Sequence, residues 1–261
     1  MFSLPAPALS GSGSDGRRNL VSALSAQAGG APVDAIVARQ SCQTWGVDSR
    51  RQRLQTAHLY LVCDDRPDAF VAAALRGGVD IVQLRIKGGA DDAILAAARR
   101  FRAACDMHDA VFILNDRPDL VDAADADGVH VGQADTGVAR AREIIGADRL
   151  VGLSTHSPEQ IDAAAGTDVD YVGVGPVYET PTKPGRPAVG LELVRYAASN
   201  AAVPFFAIGG ITTASADAVA AAGAERIAVV RALTEATDPE RAATELRRTV
   251  TRRAGARVGP A

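Results

Sequence analysis

The sequence has few cysteines and no long apolar run, and each shortage excludes a class of protein. Its three cysteines, Cys42, Cys63 and Cys105, are scattered and lack the spacing of a metal site or a redox pair. No stretch reaches the roughly 18 consecutive apolar residues that a membrane helix needs. We therefore expect a reduced, cytoplasmic protein that does not span a membrane.

The chain also lacks a strong excess of charge of either sign. Its formal net charge is −3 at pH 7, which argues against a nucleic-acid or membrane partner held by bulk electrostatics. Apolar residues make up 47% of the 261 positions, enough for the core of one large domain or two small ones. We expect small-molecule partners, and the sequence leaves open whether the chain forms a homo-oligomer.

Glutamate is absent from residues 1–55, which are rich in serine, glycine, alanine and proline. Their apolar periodicity is poor, so we predict a disordered or weakly ordered N-terminal extension. An organellar targeting peptide and an over-long start of translation are alternatives for it. A single folded domain is predicted over 56–253, followed by a flexible tail over 254–261.

From His58 onward, short β-branched apolar runs alternate with helical stretches roughly every 20 to 30 residues. The runs predict strands over His58–Cys63, Ile81–Arg85, Val111–Leu114, Gly128–Val131, Leu150–Leu153, Tyr171–Val174, Phe205–Ile208 and Arg226–Val230. The helices are predicted over Ala69–Arg76, Asp92–Ala104, Pro118–Ala124, Val138–Ile145, Pro158–Ala165, Leu191–Ser199, Ala214–Ala222 and Pro239–Arg252.

These units fit a single α/β domain, a closed (β/α)8 TIM barrel. An open doubly wound sheet is the competing architecture, and it would collect polar residues at one crevice. Here polar residues follow nearly every predicted strand, which favours the barrel.

The second predicted strand ends in the run 83–87, which contains two cations and an amide. Strand alternation places Gln83, Arg85 and Lys87 on one face. Cations that face the mouth of a barrel are costly unless an anion or a carboxylate compensates them. We expect an anionic ligand here; the alternative is an arginine–aspartate pair that closes the barrel.

Carboxylates follow the third and fourth predicted strands, at Asp116 and Asp135. Neighbouring strands lie about 5 Å apart, so these two side chains can approach each other. Beside Arg85 and Lys87, such a pair predicts a Mg²⁺ site, because Mg²⁺ takes one or two carboxylates and completes its shell with phosphate oxygens and water. The alternative for Asp116 is an N-cap of the following helix.

Ser154 follows the fifth predicted strand, where it can donate to a phosphate or cap the next helix. The sequence has no Gly-x-Ser-x-Gly elbow, so a nucleophilic serine is not predicted. His130 and His156 lack zinc spacing, and we expect both to be structural or to support neighbouring side chains.

A second anion site is predicted where the sixth, seventh and eighth strands end. Loop 180–183 carries two hydroxyls and an ammonium, which are phosphate-binding groups. The glycine pair 209–210 allows backbone N–H groups to approach an anion, and the loops after strands seven and eight form the usual phosphate site of such barrels. The residues expected in this site are Thr180, Pro181, Thr182, Gly210, Val230 and Arg231, whereas Lys183 is expected beside Arg85 and Lys87.

Together these motifs resemble those of the thiamine-phosphate synthase family. The resemblance covers about His58 to Arg252 and depends on QLRIK at 83–87, ND at 115–116, DGVHVGQAD at 127–135, GLSTH at 152–156, DYVGVGPVYETPTK at 170–183 and AIGGI at 207–211. It implies a transferase that joins a hydroxymethylpyrimidine diphosphate to a thiazole phosphate. Pyrophosphate would leave first, in a dissociative reaction.

The resemblance also implies a role for each site residue. One Mg²⁺ ion per active site would bind Asp116 and Asp135, and the second anion site would hold the thiazole phosphate. Catalysis is assigned to Arg85, Lys87, Ser154 and Lys183. The pyrimidine diphosphate would contact Gln83, Leu84, Arg85, Ile86, Lys87, Asn115, Ser154 and Lys183.

Arg231 departs from the family pattern, which commonly has serine after the Val-Val pair of the eighth strand. If the backbone N–H of Arg231 binds the phosphate, the replacement changes little, whereas an inward-pointing side chain would add a cation to the thiazole phosphate site. Three other functions fit the barrel: a thiazole tautomerase-like enzyme, a regulatory barrel that binds a phosphorylated metabolite, and a Schiff-base aldolase that uses Lys87 or Lys183. The pyrophosphate-and-metal residues favour the synthase.

Overall fold

The computed structural model describes residues 47–180 and 187–257. Parallel strands close into a barrel, each strand pairs with the next along the chain, and the last pairs with the first. The predicted TIM barrel is confirmed, and the strand ends lie within about two residues of those predicted, the uncertainty expected of such boundaries. The strands are β1 Leu59–Cys63, β2 Ile81–Leu84, β3 Val111–Asn115, β4 Gly128–Val131, β5 Leu150–Thr155, β6 Tyr171–Val174, β7 Phe205–Ile208 and β8 Ile227–Val229.

Helices cover the outer face of the barrel. The helix Asp91–Asp106 shows why: its apolar residues Ile94, Ala98, Phe101 and Cys105 recur at helical spacing and are buried. No helix in the described ranges is long and apolar enough to cross a membrane. The helices of these ranges are α1 Val47–Thr56, α2 Asp68–Arg76, α3 Asp91–Asp106, α4 Val138–Ile145, α5 Pro158–Ala164, α6 Gly190–Asn200, α7 Ala216–Ala221, α8 Arg231–Thr234 and α9 Pro239–Arg257, with a 3₁₀ turn at Pro118–Leu120.

Strand alternation divides the apolar side chains into two layers. Outward-facing residues such as Val82 and Leu84 pack against the helices. Inward-facing residues such as Ile81 and Ile113 fill the barrel interior. Leu54 of α1 is 1% exposed and belongs to the interior cluster. Helix α1 therefore closes the end of the barrel at which the strands begin.

Aspartates at this closed end tie adjacent strands together. Asp80, Asp127 and Asp170 stand immediately before β2, β4 and β6. The carboxylate of each accepts a backbone N–H from the strand that precedes its own in the barrel. These bonds join Asp80 to Leu59 at 3.0 Å, Asp127 to Phe112 at 2.9 Å and Asp170 to Val151 at 2.8 Å.

Arginines neutralise the same carboxylates. Asp127 lies 2.9 Å from Arg50, 3.3 Å from Arg53 and 2.8 Å from Arg102. Burial alone would raise the pKa of Asp127, but Arg102, the Phe112 N–H and Arg53 outweigh it and lower the pKa. The other pairs at this end are Arg51 and Arg142 with Asp170, and Arg247 with Asp80.

Two predicted domain boundaries require correction. The predicted disordered or weakly ordered extension includes residues 47–55, and the structure places these residues in α1, where Arg50 pairs with Asp127 and Leu54 is buried. The remainder of the predicted extension, 1–46, lies outside the described residues. At the other end α9 continues to Arg257, past the predicted domain end at 253.

Candidate active site

A cavity of about 630 Å³ opens at the end of the barrel where the strands terminate. Its volume is within the range of small-molecule sites. Closure of the barrel brings strand ends that are distant in sequence onto one wall. The predicted site residues that line the cavity are Gln83, Arg85, Lys87, Asn115, Asp116, Asp135, Ser154, Thr180, Gly210, Val230 and Arg231.

The end of β2 shows how alternation selects these side chains. Gln83, Arg85 and Lys87 line the cavity. Leu84 is 2% exposed in the outer core, and Ile86 packs against the same core. Leu84 and Ile86 therefore face the helices, and their side chains are not placed to contact a ligand as the sequence prediction had them.

Asp116 and Asp135 approach each other at the rim, beside β3 and β4. Both residues line the cavity, and Asp135 and Arg85 are each near enough to act on the charge of Asp116. The pKa of Asp116 is raised above its ordinary value, first by burial and then by the negative charge of Asp135. Asn115 and Arg85 lower the pKa, but their effect is smaller. Folding therefore makes this carboxylate costly to ionise, and a cation between the two groups would offset that cost.

The backbone of Asp116 also lies in an uncommon conformation. Its φ is 60°, in the left-handed region that aspartate tolerates better than most residues. Its N–H donates to the His130 carbonyl at 2.9 Å. The described 3₁₀ turn begins at Pro118, after Arg117, without a side-chain cap. The capping alternative for Asp116 is thus wrong, and backbone strain at a cavity rim is typical of functional sites.

The donor set at the rim suits a hard cation. Within residues 47–180 and 187–257, no group of three or more histidine, cysteine, aspartate or glutamate side chains could hold a metal ion. Mg²⁺ needs no such group, because it commonly takes one or two carboxylates and keeps water or substrate phosphate as its other ligands. Asp116 and Asp135 therefore fit Mg²⁺, and they do not fit a structural zinc site.

The loops after β6, β7 and β8 form another part of the cavity wall. Gly209 and Gly210 have φ of 102° and 66°, and a Cβ on Gly210 would lie 2.6 Å from the Cβ of Tyr178. Only glycine fits this turn. Arg231 at the start of α8 has a 45% exposed side chain, 3.8 Å from Glu235. Pro181 and Thr182 of this predicted site, and Lys183 of the predicted diphosphate site, lie outside the described residues.

The floor of the cavity contains aromatic residues that the sequence prediction missed. Tyr60, Tyr171 and Phe206 pack edge to face, with ring centroids 5.3 to 6.0 Å apart. His130 packs against Tyr171, with centroids 5.6 Å apart. The signal that could have found them is strand alternation, because Tyr171 lies two residues before Gly173, which also lines the cavity.

Comparison with known sequences agrees with this geometry. The profile of the family described as thiamine monophosphate synthase matches residues 59–233. The chain is 50% identical to the thiamine-phosphate synthase of Nostoc punctiforme over 192 residues, which are 73% of this chain and 55% of that protein. It is 51% identical to the thiamine-phosphate synthase of Thermobifida fusca over 209 residues, 77% of this chain and 95% of that protein. The chain spans only 55–58% of the length of several relatives that it matches.

A solved structure of a named relative supports the same assignment. Thiamine phosphate pyrophosphorylase from Pyrococcus furiosus is 32% identical with a TM-score of 0.70, over 78% of this chain and 98% of that one. The 3-hexulose-6-phosphate synthase of Salmonella typhimurium, at 17% identity and a TM-score of 0.58 over 75% of this chain and 99% of that one, shares the fold alone. On the family profile and these identities, the chain belongs to the thiamine monophosphate synthase family.

Proposed function

We propose that the chain is a Mg²⁺-dependent thiamine-phosphate synthase. It would join an aminopyrimidine methyl diphosphate to a thiazole ethyl phosphate and release pyrophosphate. The observation that carries the proposal is the pair Asp116 and Asp135 beside Arg85 and Lys87, in one cavity of a chain from this family. The substrates are anionic, and the wall of the cavity supplies the cations that they require.

The cations at the rim would act on the leaving group. Arg85, Lys87 and Lys183 would bind the diphosphate and stabilise the charge that grows on it as its bond to the methylene carbon breaks. Mg²⁺, when bound to Asp116 and Asp135, would supply further charge neutralisation. The thiazole nitrogen then attacks the cationic methylene carbon, so the new carbon–nitrogen bond replaces the broken carbon–oxygen bond.

This reaction needs no nucleophile from the protein, and the site agrees with that. Cys63, at the end of β1, faces the outer core rather than the cavity, and burial raises the pKa of its thiol to about 12, which keeps it protonated. Lys87 is exposed at the rim, whereas a Schiff-base lysine is activated by desolvation or by a neighbouring cation. These observations support the synthase over an aldolase. The pair Asp116 and Asp135 supports the synthase over a tautomerase, because a tautomerase has no leaving diphosphate whose charge a metal would neutralise.

We also propose that the enzyme works in the cytoplasm on small-molecule substrates. Two of its thiols, Cys63 and Cys105, are buried and free of disulfides. Buried thiols of this kind are the ordinary state of cysteine in a reducing compartment.

Product formation tests the proposal. The purified chain is incubated with both substrates, with Mg²⁺ or with EDTA, and thiamine phosphate is quantified. We expect product only when the metal and both substrates are present. Lys183→Ala should lower kcat by about 10²–10³-fold, the usual loss for one preorganised electrostatic group. Folded protein that binds the thiazole phosphate but forms no product would overturn the synthase and favour a tautomerase or a regulatory barrel.

A further inference from the structure

A chain of hydrogen bonds crosses the barrel interior beneath the proposed diphosphate site. Gln83 Nε2 donates to the Tyr60 hydroxyl at 2.7 Å, and the hydroxyl oxygens of Tyr60 and Tyr171 are 2.9 Å apart. The Tyr171 hydroxyl lies 3.3 Å from His130 Nδ1, and His130 Nε2 lies 2.9 Å from Ser154 Oγ. These hydrogen bonds thus link residues of β2, β1, β6, β4 and β5, and the series ends with Ser154 at the cavity wall.

The residues of this hydrogen-bonded chain lie in the barrel core. Tyr60, Tyr171 and Gln83 are 2%, 0% and 3% exposed, although all three border the cavity. Gly152 of β5 makes room for the central contact, since a Cβ there would lie 2.5 Å from the Tyr171 hydroxyl oxygen and 2.6 Å from His130 Nδ1. Burial raises the pKa of both tyrosines, so each hydroxyl keeps its hydrogen and must direct it to an acceptor.

The direction of the chain follows from the hydrogens that each group carries. The Tyr60 oxygen accepts from Gln83, so its single hydrogen is directed to the Tyr171 oxygen. The Tyr171 hydrogen is then directed to His130 Nδ1, which accepts. A neutral imidazole that accepts at Nδ1 carries its hydrogen on Nε2 and donates it to Ser154 Oγ. The hydrogen of the Ser154 hydroxyl is left for the cavity.

We propose that His130 is a positioning residue: Tyr60 and Tyr171 hold it as the Nε2–H tautomer, and it makes the Ser154 hydroxyl a donor to the ligand. The identity of the acceptor, a diphosphate oxygen, rests on the proposed function. A chain of opposite direction would consume the Ser154 hydrogen at His130 Nε2 and leave only an acceptor in the cavity. Such a serine would select a ligand N–H group and reject a phosphate oxygen. The tautomer of His130 therefore sets the chemistry that Ser154 recognises.

The tautomer is measured directly by ¹⁵N–¹H NMR of the imidazole nitrogens in the labelled protein without substrates. The signal of His130 is identified among the 4 histidines of the chain by its loss in His130→Gln. We expect the hydrogen on Nε2. A hydrogen on Nδ1, an even mixture of tautomers, or hydrogens on both nitrogens would overturn the inference. This result does not depend on whether the protein forms thiamine phosphate, so the two proposals can fail separately.

Removing one hydroxyl tests the cause of the tautomer. Tyr171→Phe deletes the donor to Nδ1, and the Nδ1–H tautomer of His130 should become populated. In the same variant kcat/KM for the pyrimidine diphosphate should fall about fivefold to tenfold, the effect of one misdirected hydrogen bond. The matched control is Tyr196→Phe, which removes a surface hydroxyl that donates to Asp162 and should change neither quantity. An unchanged tautomer in Tyr171→Phe would overturn the inference.

Replacements of His130 itself distinguish the effect of losing a hydrogen-bond donor from the effect of losing side-chain volume. His130→Gln keeps an amide donor near the position of Nε2, whereas His130→Ala removes the donor and leaves a cavity. We expect His130→Gln to retain a larger kcat/KM than His130→Ala. Equal losses of kcat/KM in the two variants would count against a donor role for His130. The wild-type tautomer remains the deciding result if either variant fails to fold.

Discussion

The two ends of the barrel shift the pKa of an aspartate in opposite directions. Where the strands begin, Asp127 is surrounded by Arg50, Arg53 and Arg102, and its pKa is lowered. Where the strands end, Asp116 lies against Asp135, and its pKa is raised. The first carboxylate is neutralised by the arginines around it, whereas the second has the Asn115 amide as a donor and another carboxylate as its neighbour. This difference matches the usual division of such barrels into a stabilising end and a functional end.

The largest expected effect comes from removing charge at the closed end. Asp127→Asn leaves three arginines around a neutral amide, and breaking a buried ion pair costs about 3–5 kcal/mol of the free energy of unfolding. Urea denaturation measures the loss. Because the change lies at the end away from the cavity, KM for both substrates should be unchanged in the folded fraction.

The control for this variant is an exposed aspartate with a similar partner. Asp122 lies 2.9 Å from Arg149 but its side chain is 82% exposed. Asp122→Asn should cost less than about 1 kcal/mol, because water screens exposed pairs. Equal losses in Asp122→Asn and Asp127→Asn would contradict the stabilising role of the closed end.

A smaller effect is expected from the helix that closes the barrel. Leu54→Ala removes an apolar side chain from the interior cluster and should lower the free energy of unfolding by about 3 kcal/mol. Calorimetric or urea unfolding checks the value, and turnover of the folded enzyme should be retained. A loss below about 0.5 kcal/mol, the level of an ordinary surface substitution, would show that α1 is not part of the domain.

Acid should lower the free energy of unfolding by a still smaller amount, because it protonates Asp127 at the closed end. The folded-state pKa of Asp127 is below that of the unfolded chain, so its contribution is fully present above the ordinary aspartate pKa of about 3.9 and is lost as the pH falls through the lowered value. For Asp116 the shift has the opposite sign, so protonation relieves a cost. Urea unfolding across the acid range should therefore show a shallower loss in Asp127→Asn than in the wild type. Parallel curves would contradict the assignment.

The strands and the cavity wall could be predicted because their signals are local. Each strand is an apolar run bounded by turn residues, and the alternation in 83–87 separates Arg85 and Lys87 from Leu84 and Ile86. The same alternation places Tyr60, His130 and Tyr171 on the inward faces of β1, β4 and β6, but it does not show that these inward positions reach the cavity. Their hydrogen-bonded chain depends on five strands meeting in the barrel, which sequence spacing does not encode.

Helix α1 could not be predicted because its stabilising partners are distant. It contains three arginines that pair with aspartates, and Arg50 and Asp127 are 77 residues apart along the chain. Among residues 49–56, whose burial the structure describes, Leu54 is the buried one, so the apolar periodicity is weak. The position of Asp127 and Asp170 directly before β4 and β6 is the sequence feature that could have pointed to this closed end.

Urea unfolding of Asp116→Asn, in EDTA and in Mg²⁺ with pyrophosphate, tests the contrast between the two ends most directly. Asparagine also tolerates the left-handed backbone of this position, so only the charge changes. In EDTA the variant should be as stable as the wild type or slightly more stable, because an ionised carboxylate beside Asp135 is removed. The wild type alone should gain stability from Mg²⁺ with pyrophosphate, by about 2.7 kcal/mol at a hundred times Kd. A large loss of stability in EDTA, or an equal gain in both proteins, would contradict the account.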